Sequence, residues 1–192
     1  AAGDFLTTSD IWFRPVDSTV APDGSLYIAD WYDYNIAHSS PQNRSKWYQP
    51  SRADGRVWRI APTTPMGNLP STFNLQTKST LELVGYLSHT NAWYSRAARR
   101  ILAERRDQSI IQELTTLING SDPGLSLQAL WAVHACGGLS HDLAVNTLGS
   151  PHPYVRSWTV RLLADQRTVS AKHHALMLDL SRTDTNIHVR SQ

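Results

Sequence analysis

The second half of the chain repeats itself at a spacing of about thirty residues, and a repeat of that length restricts the folds open to it. The segment that begins at Leu87, LSHTNAWYSRAARRILAE, aligns without gaps to the one that begins at Leu148, LGSPHPYVRSWTVRLLAD. Halfway between them, DPGLSLQALWAV from Asp122 fits the same frame. Such repeats predict stacked helical hairpins, because each unit can bury its apolar face only against its neighbours.

Helix-start signals divide each repeat into two helices. Ser79 and Glu82 have the spacing of a capping box, in which each side chain binds a backbone amide that the first turn leaves unpaired. Other expected N-caps are Asn91, Asp107, Asp122, Ser140, His152 and Ser170, and expected C-terminal glycines are Gly120, Gly137 and Gly149. We therefore predict an α-solenoid over residues 79–192, with three full helical hairpins and a partial fourth. Its predicted buried residues are Leu83, Leu87, Leu102, Leu114, Leu117, Leu130, Val133, Leu148, Val160, Leu163 and Leu176.

The first sixty residues have the period of β-strands instead. Val16, Ser18 and Val20 alternate with Asp17 and Thr19, as Leu26 and Ile28 do with Tyr27 and Ala29. The sequence Pro22-Asp23-Gly24 between the two segments is typical of a tight turn. A further strand is predicted at residues 56–60, after a long loop at residues 31–54. Proline-rich residues 63–78 show neither period and are predicted to be a linker.

Composition excludes several classes of function. A chain of 192 residues with 41% hydrophobic content can form a real core, and its net charge of +2 is too low for the basic surface of a nucleic-acid binder. No apolar run is long enough for a membrane helix, so no membrane span is expected. The single cysteine, Cys136, excludes an internal disulfide and a CxxCH haem motif within the chain.

The pattern PxDxxVxPDGxLYxxDWY at residues 15–32, followed by GRVWRI at residues 55–60, resembles the closing part of the β-propeller in glucose and sorbosone dehydrogenase-like proteins. A propeller followed by HEAT repeats is similar to the membrane-bound dehydrogenase-like group known as PVC-type haem-binding proteins. The resemblance implies an α+β multi-domain fragment: a terminal β-propeller blade at residues 1–62, the linker, and an α-solenoid of HEAT-like repeats at residues 79–192.

The same resemblance implies that the parent protein is exported, for example to the periplasm, and oxidises sugars or related alcohols. Haem c, a quinone or Ca²⁺ would be cofactors of the parent, whereas no cofactor is expected in this chain. One blade cannot surround a cofactor, so the chain alone is expected to be inactive. Its expected partner is the rest of the parent propeller or another protein chain.

The irregular loop after Asp30 carries the candidate site residues. Candidates for a substrate or ligand rim are Asp30, Trp31, Tyr32, Asn35, His38 and Arg56, and the oxygens of Asp30, Asp33 and Asn35 could bind a hard cation. The alternative is that Asp30 caps a turn while the aromatic rings fill the seam to a neighbouring blade. The ligand spacing does not match an EF-hand loop.

Two clusters in the helical half have a functional and a structural interpretation. Seven of the eight histidines lie there, but their spacing matches no metalloprotease helix, and capping, surface or core roles are favoured. The run Arg96, Arg99, Arg100, Arg105 and Arg106 could receive an acidic partner, although a solvated helix face that pairs with Glu104 and Asp107 is favoured. A competing hypothesis for the whole chain is a non-catalytic scaffold for protein–protein interaction.

Overall fold

The structure is a computed structural model that describes residues 3–32, 55–63, 73–165, 167 and 169–192. The chain divides into two compact units, residues 1–71 and residues 72–192. The first contains the described strands and the second contains the described helices.

The described part of the first unit forms one antiparallel sheet with strand order β1-β2-β3. The strands are β1 (Pro15–Val20), β2 (Leu26–Asp30) and β3 (Arg56–Ile60). The predicted hairpin is confirmed: Val20 pairs with Leu26, and Gly24 takes a φ of +80° in the turn. The Asp23 carboxylate stabilises that turn by accepting hydrogen bonds from the Ser25 amide and hydroxyl groups, both at 2.9 Å.

The predicted β-propeller blade is wrong. A propeller blade has four strands and packs both faces against other blades, whereas the described residues of this unit form a three-stranded sheet. All of β1 is exposed, including Val16 at 60%. Alternating residues and a Pro-Asp-Gly turn specify antiparallel pairing between neighbours in sequence, but they do not specify how many strands the sheet contains.

The second unit consists of short helices arranged as successive hairpins. The α-helices are α1 (Thr80–Gly85), α2 (Ala92–Arg105), α3 (Ile111–Ile118), α4 (Pro123–Ala135), α5 (His141–Leu148), α6 (Pro153–Ala164), α7 (Ala171–Thr183) and α8 (Ile187–Arg190). Within each hairpin a first helix (α1, α3, α5 or α7) contacts the second helix that follows it (α2, α4, α6 or α8). Each second helix also contacts the next second helix along the chain. This arrangement is compatible with the predicted solenoid.

Most of the predicted helix N-caps are confirmed. Ser79 and Glu82 form the capping box, and Asn91, Asp107, Asp122, Ser140 and Ser170 each accept a backbone amide hydrogen bond at a helix start. His152 precedes α6 but makes no capping bond through its side chain. Its Nε2 atom lies 2.9 Å from the Gly120 carbonyl oxygen of the preceding repeat instead.

Leucine and valine side chains fill the space between the helices. Leu102, Val133 and Leu163, each eleven residues after the N-cap of its helix, are buried. Of the residues predicted to be buried, Leu117 and Leu176 are half-buried and the others are buried. The described residues between 81 and 180 contain no strand, as predicted.

Replacing Gly138 by alanine should destabilise the helical unit by about 1–3 kcal/mol, the usual cost of overpacking a core. A Cβ atom at Gly138 would clash with Cδ1 of Ile111 and lie 2.9 Å from its Cγ1. The matched control is Gly85→Ala, because a Cβ there meets nothing within 4 Å and Gly85 has helical backbone angles. Denaturant unfolding of both variants checks this, and a Gly138→Ala protein as stable as Gly85→Ala would show that Ile111 moves aside freely.

Candidate functional site

Asp30 lies at the end of β2, where its carboxylate joins three parts of the sheet unit. One oxygen, Oδ1, accepts hydrogen bonds from the backbone amides of Arg14 at 2.7 Å and Tyr32 at 3.0 Å. The other, Oδ2, accepts one from Nε1 of Trp58 on β3 at 2.9 Å. Both oxygens therefore have protein donors, and the bond to the Tyr32 amide is that of a turn cap.

These contacts keep the Asp30 carboxylate ionised although its residue is only 3% exposed. Burial by itself raises the pKa of Asp30, but the hydrogen bonds from Trp58, Arg14 and Tyr32 and the charge of Arg56 together lower that pKa below its ordinary value. A carboxylate held in this way stabilises the sheet. Its oxygens have little capacity left for a ligand.

Tyr32 and Arg56 lie beside this carboxylate. The Arg56 guanidinium stacks on the Tyr32 ring, with Cζ 3.2 Å from the ring centroid, and Nη1 forms an ion pair with Asp10 at 3.3 Å. Tyr32 has a φ of +48°, and its ring also contacts Trp12 at 5.4 Å between centroids. The structure thus brings together Asp30, Tyr32 and Arg56 from the predicted rim.

The structure says less about the remaining predicted site residues. Trp31 is 63% exposed. Asp33, Asn35 and His38 lie outside the described residues. Of the three predicted cation ligands, the structure therefore describes only Asp30. Among the residues that the structure describes, no group of three or more His, Cys, Asp or Glu side chains could hold a metal ion.

A second cluster, on the second helices of the helical unit, was not predicted from the sequence. We call it the second-helix face and define it by Arg99 on α2, Trp131 on α4, and Tyr154, Trp158 and Arg161 on α6. The Arg99 guanidinium lies over the Trp131 ring at 4.8 Å, and its Nη1 donates a hydrogen bond to Oε1 of Gln128. The two tryptophan rings meet edge to face at 4.9 Å.

On α6 the same face continues at helical spacing. Arg161 lies over the Trp158 ring at 5.3 Å, and Tyr154, one turn before Trp158, is 52% exposed. The Tyr154 ring stacks on His188 of α8 at 5.9 Å. Aromatic and cationic side chains therefore run across four consecutive second helices.

Arg99 is the most constrained cation of this face. It is half-buried, and burial together with the nearby charge of Arg96 lowers the pKa of its guanidinium. Among the described residues, neither Arg99 nor Arg161 forms an ion pair. Within the same part of the chain, the buried Nε1 atom of Trp131 has no hydrogen-bond acceptor.

The sequence contains a signal that points to this face. When the repeats are aligned on their N-caps, Gln128 falls over Trp158 and Trp131 falls over Arg161. These positions are three residues apart on each helix, so they share one side of it. Large polar or aromatic residues at positions shared by successive repeats indicate a common surface.

The basic run on α2 does not form a single surface. Arg100 pairs with Glu104 at 3.8 Å on the exposed side, as the favoured interpretation predicted, whereas Arg99 turns toward α4. Arg105 donates hydrogen bonds to the Gln76 carbonyl and Thr80, and Arg106 ends α2 in a left-handed conformation.

Other reactive side chains of the helical unit have structural contacts. His141 and His173 stack at 4.2 Å between ring centroids. The Cys136 thiol is buried and donates a hydrogen bond to the Leu102 carbonyl, and burial raises its pKa. A thiol in such surroundings is less reactive than an exposed one.

No helix in the described ranges is long and apolar enough to span a membrane. A family model described as a domain of unknown function (DUF7133) matches residues 1–64, a third of the chain. Comparisons with curated proteins and with solved structures give no match.

Proposed function

We propose that residues 72–192 act as a protein-binding scaffold whose contact surface is the second-helix face. The observation that carries this proposal is the continuous contact of Arg99, Trp131, Trp158 and Arg161 across three helices of the stack. Tryptophan, tyrosine and arginine are the residues that most often dominate binding energy at protein interfaces. Stacked helical hairpins present such residues on one extended surface.

The chemistry of the described residues supports binding better than catalysis. In the sheet unit, the oxygens of the Asp30 carboxylate accept hydrogen bonds from backbone and indole groups, and Arg56 is held by Asp10 and Tyr32. The hypothesis of a sugar or alcohol oxidoreductase in the parent protein stays a prediction from resemblance.

Selection from a random peptide library on the full chain tests the proposal. We expect enriched peptides whose affinity falls at least about tenfold with Tyr154→Ala or Trp158→Ala, since interface hot spots contribute about 2 kcal/mol or more. The matched control is Leu178→Ala, which removes a 43% exposed apolar side chain from the first helix α7.

Thermal unfolding of each variant separates loss of the surface from loss of the fold. A selection that yields no peptide contradicts the proposal. So does a set of peptides that bind Tyr154→Ala and Trp158→Ala as tightly as the unchanged chain while Leu178→Ala weakens them.

A further inference from the structure

The second helices are strongly basic although the whole chain is nearly neutral. Residues 92–105, 123–135 and 153–164 contain six arginines, Arg96, Arg99, Arg100, Arg105, Arg156 and Arg161, and one acidic residue, Glu104. The net charge of the chain is only +2, so acidic side chains are concentrated elsewhere. The side of the stack formed by the second helices therefore favours an anionic partner.

Only some of these arginines are available to a partner. Arg156 forms a bidentate pair with Asp184, Arg105 binds Gln76, and Arg100 pairs with Glu104. Arg96 is exposed, forms no ion pair with a described residue and does not belong to the second-helix face. Arg99 and Arg161 instead lie on tryptophan rings and form no ion pair with a described residue. They are the two cations at the ends of the Trp131–Trp158 pair.

We propose that the second-helix face binds an acidic peptide in extended form, with one carboxylate at Arg99, another at Arg161 and an apolar residue over the tryptophans between them. This inference rests on the proposed scaffold function and names its class of partner. A guanidinium fixed against an aromatic ring presents its donors in the planar arrangement that fits a carboxylate. Because Arg99 is half-buried, a carboxylate there is also less screened by water than at a fully exposed arginine.

The spacing of the helices sets the length of the peptide. Neighbouring packed helices lie about 9 Å apart, so α2 and α6 are separated by about 18 Å across α4. An extended chain rises about 3.3 Å per residue, which puts the two carboxylates about five or six residues apart. A peptide of about eight residues is long enough to carry both carboxylates at this spacing.

A nucleic acid is the less favoured partner. Nucleic-acid binding relies on many phosphate contacts to a broad basic surface. The face offers two arginines without carboxylate partners and two tryptophans in mutual edge-to-face contact. That arrangement fits a short segment with separated charges and an apolar middle.

Fluorescence anisotropy with the full chain tests the inference. The probe is a labelled peptide of about eight residues with two acidic residues about five or six positions apart, one on each side of an apolar centre. Its control has the same sequence with each carboxylate replaced by the corresponding amide. We expect the amide peptide to bind at least about tenfold more weakly, because hydrogen bonds to charged groups exceed neutral ones by about that factor.

Arg99→Gln and Arg161→Gln should each weaken the acidic peptide about tenfold, and added salt should weaken it further. The matched control is Arg182→Gln, which removes an exposed arginine from the first helix α7 and should leave affinity unchanged. Arg161 is exposed, so its variant tests the contact even if Arg99→Gln unfolds the chain.

Three results would overturn the inference. The first is that the acidic and amide peptides bind equally well. The second is that Arg182→Gln and Arg161→Gln lower the affinity for the acidic peptide equally. The third is that a single-stranded oligonucleotide binds more tightly than the acidic peptide and that Arg161→Gln abolishes its binding. Neutral or basic library peptides that depend on Trp158 would contradict the acidic partner but leave the scaffold function standing. If the binding of no peptide depends on the second-helix face, both the acidic partner and the scaffold function are contradicted.

Discussion

Replacing Arg156 by alanine is expected to lower the free energy of unfolding of the helical unit by about 3–5 kcal/mol, the usual cost of breaking a buried ion pair from one side. The Arg156 guanidinium donates from Nε and Nη2 to the two carboxylate oxygens of Asp184, at 2.7 and 2.8 Å. The Asp184 side chain is only 3% exposed. The variant therefore leaves a buried carboxylate without its main partner, and denaturant unfolding measures the loss.

The matched control is Arg100→Ala, which breaks the exposed pair between Arg100 and Glu104 on α2. Exposed pairs contribute up to about 1 kcal/mol, so this variant should lose far less stability. Equal losses in the two variants would mean that the Arg156–Asp184 pair does not hold α6 against the loop before α8.

The Arg156–Asp184 pair should also be visible in the pH dependence of unfolding. Hydrogen bonds from Arg156 lower the pKa of Asp184 in the folded state, although burial opposes them. A folded-state pKa below the unfolded value of about 3.9 gives a stabilisation that is complete above that value and is lost as pH falls through the folded pKa. The difference in the free energy of unfolding between the unchanged chain and Arg156→Ala should be constant near neutral pH and shrink in acid. A difference that widens in acid would contradict this.

Asp30→Ala is expected to unfold the sheet unit while the helical unit stays folded. The change removes the acceptor of three hydrogen bonds, from the Arg14 amide, the Tyr32 amide and Nε1 of Trp58. Each of these part-buried hydrogen bonds contributes about 0.5–1.5 kcal/mol, and a small three-stranded sheet has little stability to lose. Hydrogen–deuterium exchange should therefore become fast across residues 15–30 and 56–60.

Two further substitutions make this test specific. Asp17→Ala, at an exposed position of β1, should leave exchange nearly unchanged. Asp30→Asn keeps an oxygen for the backbone amides but replaces the acceptor of Trp58 by a donor, so it should give an intermediate effect. Slow exchange in Asp30→Ala would show that the carboxylate is not required by the sheet and is free for a ligand.

Local structure was predictable because its causes lie within a few residues. Ser79 and Glu82 cap α1 as predicted, since both partners of each bond lie in one turn. The Asp23–Gly24 turn formed for the same reason. By contrast, Arg106 ends α2 in a left-handed conformation, where the pattern offered no glycine or asparagine to mark the position.

Features that depend on distant neighbours were not predictable in this way. The alternation in β1 and β2 predicted pairing, but the number of strands in the sheet depends on segments far away in sequence, and the propeller blade was wrong. The stacking of Arg99 on Trp131 joins residues of different repeats, and α2 alone gives no reason for Arg99 to differ from Arg100. Arg99 and Arg100 have different contacts only because α4 packs beside α2.

The most direct test of the proposed binding surface uses the indole N–H signals of the folded chain. In a ¹⁵N-labelled sample titrated with the acidic peptide, we predict that the signals of Trp131 and Trp158 shift together and saturate at one affinity. The indole signals of Trp12 and Trp58, which lie in the sheet unit, should not move. Saturable shifts confined to Trp12 or Trp58, or unchanged Trp131 and Trp158 signals when the peptide is bound, would contradict the second-helix face as the binding surface.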